Sequence, residues 1–102
     1  MSLDMVILGP DGSPARQMSI SVDDHYRLMA LAKDTGRLLM RLNNYYADAE
    51  FRYSELEDLA AEIASLQISH LHDASLLPFL NDLSDLIAIA KQEHKPIVAI
   101  AD

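Results

Sequence analysis

The sequence predicts a single α+β domain spanning residues 1–102, in which a small three-stranded sheet packs against about four helices. Apolar and polar residues alternate near the N-terminus, as they do in strands, whereas apolar residues recur at helical spacing through the middle of the chain. The C-terminal segment IVAIA is apolar on both faces, which is typical of a buried strand. A chain of 102 residues is long enough to enclose one core.

An N-terminal hairpin is predicted from two extended segments and the turn between them. Residues Leu3–Leu8 have extended character, and residues 9–14 supply turn-forming residue types in succession. Residues 17–22 then alternate between polar and apolar side chains, so one face of this strand is expected to meet solvent. The C-terminal strand is expected to pair with Leu3–Leu8, either covered on both faces or central in the sheet.

Two helices are predicted between the hairpin and residue 46. The first begins near residue 24 after an N-cap at Ser21 or Asp23, and it ends at Gly36, which suits the left-handed position after a helix. The second is shorter, because leucine and tyrosine residues recur at helical spacing over residues 38–46.

The best-marked helix is predicted to start at Ser54, since Ser54 and Glu57 have the spacing of a capping box. Its apolar stripe contains Leu56, Leu59, Ala60, Ile63 and Leu66. Residues 49–53 are expected to form a short extended segment before it, with Phe51 facing inward.

A fourth helix is predicted between the polar connection of residues 67–75 and Pro96. Ser75 is the expected N-cap, and Pro78 lies in the first turn, where its missing N–H costs little. Pro96 closes the helix, and a broad apolar stripe places it deep in the core.

Charge and cysteine content restrict the classes of partner and compartment. The chain carries 16 acidic and 8 basic residues, for a formal charge of -8, so nucleic acid phosphates and anionic lipids are disfavoured as partners. It contains no cysteine, which fits a reducing compartment and excludes thiolate catalysis and disulfides. No apolar run approaches the length of about 20 residues that spans a bilayer. The expected location is cytoplasmic.

Enzymatic chemistry has little support in the sequence. No glycine-rich phosphate loop or zinc-protease motif occurs, and no serine lies in a strained glycine elbow, so neither an enzyme nor a cofactor is expected. The alternative is a small metal-dependent enzyme or metal sensor that uses His70, His72 and Asp73. Those two imidazoles would converge on one ion only if the segment is extended.

An acidic and aromatic stretch is the strongest candidate for a binding surface. Tyrosine beside carboxylate is a favourable composition for an interface with a basic protein. The predicted partner-binding residues are Tyr46, Asp48, Glu50, Tyr53, Glu55, Asp58 and Glu62. The alternatives are a solvated helix face for the acids and core packing for the rings, with either Tyr45 or Tyr46 buried.

The segment LLMRLNNYYADAEFRYSELEDLAAEIASL, together with the closing IVAIAD, resembles small acidic bacterial proteins, either of unassigned function or of the immunity type found in polymorphic-toxin systems. The resemblance implies a non-enzymatic protein that binds and neutralises a cognate basic toxin. Immunity proteins have many unrelated folds, so the fold alone does not establish the role. Self-association through an apolar strand edge or helix face is a further prediction.

Overall fold

The computed structural model describes residues 3–101, with only the backbone described for residues 34 and 35. These residues form four strands, three α-helices and two 3₁₀ turns, so the predicted α+β class is confirmed. In chain order the elements are β1 (Leu3–Leu8), β2 (Pro14–Ile20), α1 (Val22–Thr35), a 3₁₀ turn (Leu39–Leu42), β3 (Ala49–Phe51), a 3₁₀ turn (Tyr53–Glu55), α2 (Leu56–Ser69), α3 (Leu77–Glu93) and β4 (Ile97–Ala101).

The sheet is antiparallel throughout, with the strand order β2-β1-β4-β3. The predicted hairpin and the pairing of the last strand with Leu3–Leu8 are both confirmed, since Met5 lies opposite Met18 on one side and Ala99 on the other. Strand β4 is apolar on both faces because it is central in the sheet.

The fourth strand corrects the prediction of three. Residues Ala49–Phe51, expected only as an extended segment, pair antiparallel with β4 and form the second edge of the sheet. Phe51 faces inward as predicted and is fully buried. A strand of three residues is too short to show alternation in the sequence, and its pairing with β4 is what defines it.

The predicted second helix is wrong in kind, because residues 39–42 form only a 3₁₀ turn. The Glu62 carboxylate accepts hydrogen bonds from the backbone N–H groups of Leu38 (2.9 Å) and Leu39 (3.0 Å), and it thereby caps this turn from another helix. Leu39 and Leu42 insert into the core. Burial of these leucines accounts for the helix-like spacing without a longer helix.

Gly36 follows α1 as predicted, but its φ of -114° is not left-handed. Glycine suits this position because space is tight: a Cβ atom would lie 3.0 Å from the Ala32 Cβ and 3.2 Å from Glu62 Oε1. At the other end of α1, the Ser21 hydroxyl accepts from the Asp24 N–H at 3.1 Å, as one of the two expected caps. Val22 belongs to this helix and not to the preceding strand.

The start of α2 also differs from the prediction. The Glu55 carboxylate, and not that of Glu57, accepts from a preceding backbone N–H, that of Arg52 at 3.0 Å. A 3₁₀ turn over Tyr53–Glu55 therefore precedes the α-helix, which begins at Leu56 and not at Ser54. Glu55 takes this role because Arg41 holds its carboxylate in place.

Before α3, Asp73 and not Ser75 provides the cap. Its Oδ1 accepts from the backbone N–H groups of Ser75 and Leu76, both at 3.1 Å. Pro78 lies in the first turn as predicted. The helix ends at His94, a non-glycine residue in the left-handed conformation with a φ of 58°.

One hydrophobic core lies between the three helices and the face of the sheet that carries Leu3, Met5 and Phe51. The opposite face of β4 carries Val98 and Ile100, both half-buried. Within residues 3–101, no helix is both long enough and apolar enough to span a lipid bilayer.

Candidate partner-binding surface

Several of the predicted partner-binding residues already make contacts within the fold, and Glu55 is the clearest example. Arg41 binds both of its carboxylate oxygens, with Nη1 2.7 Å from Oε1 and Nη2 in contact with Oε2. The hydrogen bonds from Arg41 and from the Arg52 N–H lower the pKa of Glu55 to about 2. Arg41 also lies 5.7 Å from the centre of the Phe51 ring. We call Arg41, Phe51, Arg52 and Glu55 the Arg41–Glu55 junction.

Two further predicted acids are bound to backbone groups. Asp48 Oδ1 accepts from the Ala101 N–H at 2.8 Å, and this contact holds the end of β4. Both Glu62 oxygens cap the 3₁₀ turn that begins at Leu39. Both carboxylates therefore have a structural role, while Asp48 is exposed and retains further acceptor sites.

The other predicted residues are accessible. Tyr53 is 44% exposed and stacks on His94, with ring centres 5.0 Å apart. Glu50 lies on edge strand β3, and Asp58 lies in the first turn of α2, where both are exposed. Tyr46 is exposed beside α1.

A groove with a volume of about 590 Å³ is lined in part by Tyr46. We call it the α1 groove. One wall is α1, and the other is the segment between the first 3₁₀ turn and β3. Its lining consists of Val22, His25, Tyr26, Met29, Ala30, Lys33, Met40, Asn43, Tyr45 and Tyr46.

Large apolar side chains on the groove are unusually exposed. Val22 is 59% exposed, Tyr26 75% and Tyr46 65%. Scattered exposed apolar residues need no explanation, but several that share one concave surface indicate a binding site. Met29 and Met40 add half-buried, flexible and polarisable surface that adapts to a partner's shape.

The floor of the α1 groove is fixed by aromatic contacts and hydrogen bonds. Tyr45 is buried, and its hydroxyl donates to the Ile20 carbonyl at 2.8 Å. The Tyr45 ring packs edge-on against the rings of His25 and Tyr46, with distances between ring centres of 4.9 Å and 5.5 Å. His25 Nε2 lies 2.6 Å from the Leu42 carbonyl oxygen, so this nitrogen carries a proton and donates it. Tyr46 is thus exposed on a rigid base.

The sequence-based reasoning identified Tyr46 but missed the rest of this groove. The available signal was a second apolar stripe on α1, at Val22, Tyr26, Met29 and Ala30, beside the buried stripe that contains Leu28 and Ala32. Helical spacing shows that the second stripe exists. It does not show whether another element covers it.

The metal alternative gains no support from the geometry of the described residues. Residues 3–101 contain no group of three or more His, Cys, Asp or Glu side chains placed to hold a metal ion. Asp73 instead caps the start of α3, and hydrogen bonds from Ser75 and from the Leu76 N–H keep the pKa of Asp73 below its usual value. His70 is half-buried and His72 is exposed in the connection between α2 and α3.

In comparisons with known proteins, no family model, curated protein or solved structure matched this chain.

Proposed function

We propose that this protein is a non-enzymatic protein-binding domain of the immunity type, which docks a basic partner protein, such as a toxin, in the α1 groove. The observation that carries the proposal is the convergence of Val22, Tyr26 and Tyr46 on one groove, each more than half exposed. Tyrosine is enriched among the residues that dominate binding energy in interfaces, where its ring fills a pocket and its hydroxyl remains wet.

The rigid base of Tyr46 supports this role. A side chain that is already held in its bound position loses little conformational entropy on binding, so more of its contact energy appears as affinity. The edge-on contact with Tyr45 and the hydrogen bond from the Tyr46 N–H to Asn44 Oδ1, at 2.9 Å, both restrict Tyr46.

The net charge of -8 supports a basic partner. Charge that is spread over a surface accelerates encounter with an oppositely charged protein, whether or not each carboxylate touches it. In this proposal Glu50 and Asp58 act through the long-range field, Tyr53 lies outside the α1 groove, and Asp48, Glu55 and Glu62 contribute both field and structure. A chain without cysteine suits the reducing cytoplasm, where a producing cell must neutralise its own toxin.

The decisive experiment measures binding to the protein encoded beside this gene, by surface plasmon resonance and by a toxin-protection assay. Replacement of both groove tyrosines (Tyr26→Ala and Tyr46→Ala) is expected to raise the dissociation rate by about tenfold or more, because buried aromatic anchors act mainly on dissociation. Tyr53→Ala, an exposed tyrosine outside the groove, is the matched control and should leave this rate unchanged.

Charge variants measured at different salt concentrations separate docking in the α1 groove from the electrostatic attraction of a basic partner. Glu50→Lys with Asp58→Lys should slow association at low salt and leave dissociation nearly unchanged. A wild-type dissociation rate in the double tyrosine variant would contradict docking in the α1 groove. Full activity of the neighbouring protein in the presence of excess wild-type chain would contradict the immunity role.

A further inference from the structure

Strand β2 forms an open edge of the sheet. It is the terminal strand in the order β2-β1-β4-β3, and residues 14–17 and 19 are exposed. In an antiparallel sheet every second residue of an edge strand directs its N–H and C=O away from its neighbour, which leaves them available to another strand. Pro14 and the register shift near Leu8 disturb only the start of this strand, and pairing with β1 is regular from Arg16 to Ile20.

A groove follows this edge on the helix side of the sheet. Its volume is about 330 Å³, and we call it the β2 groove. It is lined by Arg16, Gln17, Met18, Asp82, Asp85, Leu86 and Ile89. Met18, Leu86 and Ile89 provide an apolar floor, while the two aspartates of α3 are exposed on its outer wall.

The acidic side chains of the β2 groove are complementary in charge to Arg16 on strand β2. Arg16 and Met18 point to the helix side of the sheet, since they alternate with Gln17 along β2. Among the described residues, Arg16 makes a long ion pair, with its Nε 3.9 Å from a Glu93 carboxylate oxygen, and its side chain is 57% exposed. Such an exposed pair contributes little and is readily exchanged for a better one.

We propose that two copies of this chain associate through their β2 edges, antiparallel about a twofold axis near Gln17, so that each Arg16 lies in the other copy's β2 groove beside Asp82 and Asp85. This register places Arg16 of one copy opposite Met18 of the other on the same face of a continuous sheet. A twofold axis repeats each contact, so one cation and one acidic pair per chain suffice for both halves of the interface.

The charge of -8 on each copy opposes association at long range. At about 0.15 M salt the screening length is about 8 Å, so this general repulsion is largely removed while contact pairs are screened much less. Local complementarity therefore decides the outcome at moderate salt. This surface is distinct from the α1 groove, and the proposal does not depend on the proposed function.

Sedimentation velocity and light scattering of the full chain, from micromolar to millimolar concentration at moderate salt, test the proposal. The wild type is expected to shift from the 11.4 kDa monomer towards a species of twice that mass. Arg16→Asp alone, or Asp82→Arg with Asp85→Arg, should weaken dimerisation about tenfold or more, because each change opposes like charges at both copies of the contact. All three positions are exposed, so both variants are expected to fold.

Mixing the two variants gives the sharpest result. In the mixed dimer, the new Asp at position 16 of one variant lies beside the new arginines at positions 82 and 85 of the other. The second variant keeps Arg16, which lies beside Asp82 and Asp85 of the first. Both contacts are therefore attractive in the mixed dimer and repulsive in the dimer of either variant with itself. Glu57→Arg with Asp58→Arg is the control for net charge, because it changes the charge by as much as the Asp82 and Asp85 substitutions do. Both residues lie on α2, outside the β2 groove, so this variant should dimerise at least as strongly as the wild type. A wild type that stays monomeric at millimolar concentration overturns the proposal. Dimerisation of either variant alone at wild-type strength also overturns it. So does the absence of a dimer when the two variants are mixed.

Discussion

The α1 groove and the Arg41–Glu55 junction both contain aromatic and polar side chains, but the fold uses them in opposite ways. At the junction, Glu55 binds Arg41 and the Arg52 N–H, and Phe51 is buried beneath Arg41. In the α1 groove, Tyr26 and Tyr46 remain largely exposed. A dense run of charge in a sequence can thus be partly structural, while an exposed groove can form where the sequence shows only a modest second apolar stripe.

The largest expected effect is at the junction. Phe51→Ala should lower the free energy of unfolding by about 3–5 kcal/mol, since it removes a fully buried aromatic ring between β3 and the core. Urea unfolding followed by circular dichroism measures the loss. Tyr46→Ala in the α1 groove is the matched control and should change stability by about 0.5 kcal/mol or less. Similar losses in both variants would contradict the distinction between the two regions.

Glu62→Ala is expected to cost about 1–3 kcal/mol, because the backbone N–H groups of Leu38 and Leu39 lose their carboxylate acceptor. Asp58→Ala removes an exposed acid from the same helix and should cost about 0.5 kcal/mol or less. The same urea measurement compares the two. An equal cost would mean that Glu62 acts only as a surface charge.

Tyr45→Phe and Tyr46→Phe compare neighbouring hydroxyl groups on the floor and the rim of the α1 groove. The first should lower stability by about 1 kcal/mol, because the Ile20 carbonyl loses a buried donor. The second should be close to neutral, since its ring is 65% exposed. Thermal unfolding by calorimetry resolves the difference, and a neutral Tyr45→Phe would show that water replaces the hydroxyl.

The smallest expected effect is the pH dependence contributed by Glu55. Its pKa is lowered from 4.5 to about 2 in the folded chain, so the unfolded chain binds more protons between these values. Its stabilising contribution is therefore complete above pH 4.5 and is lost as the pH falls towards 2. The stability difference between wild type and Glu55→Gln should shrink over that window in urea titrations. A stability difference that stays constant over that window would contradict this role of Glu55.

Much of the fold could be predicted from the sequence because its main signals are long and periodic. The hairpin alternation, the apolar stripes of α2 and α3 and the apolar last strand each reflect several residues that bury one face. The errors came from short elements and from caps supplied at a distance. Glu62 capping a turn 23 residues earlier, and Arg41 selecting Glu55 over Glu57, are tertiary contacts that no local pattern reveals.

The candidate site was less accessible to prediction than the fold. Tyr46 was identified because aromatic residues cluster beside acids in the sequence. The groove itself depends on where the segment after the 3₁₀ turn lies against α1, and on the Tyr45 hydroxyl reaching Ile20 across 25 positions of sequence. The second apolar stripe of α1 is exposed because of that placement. Helical periodicity shows that the stripe exists but does not show whether it is covered.

The position of β4 has a consequence for synthesis of the chain. Strand β4 is the last described element along the chain, yet it lies between β1 and β3 and is the only described link between the hairpin and the other edge of the sheet. Until residues 97–101 leave the ribosome, β3 has no strand to pair with, and the apolar inner faces of both sheet segments stay incompletely covered. The sheet therefore closes only once this strand is in place, and a folding intermediate without it exposes apolar surface that favours aggregation.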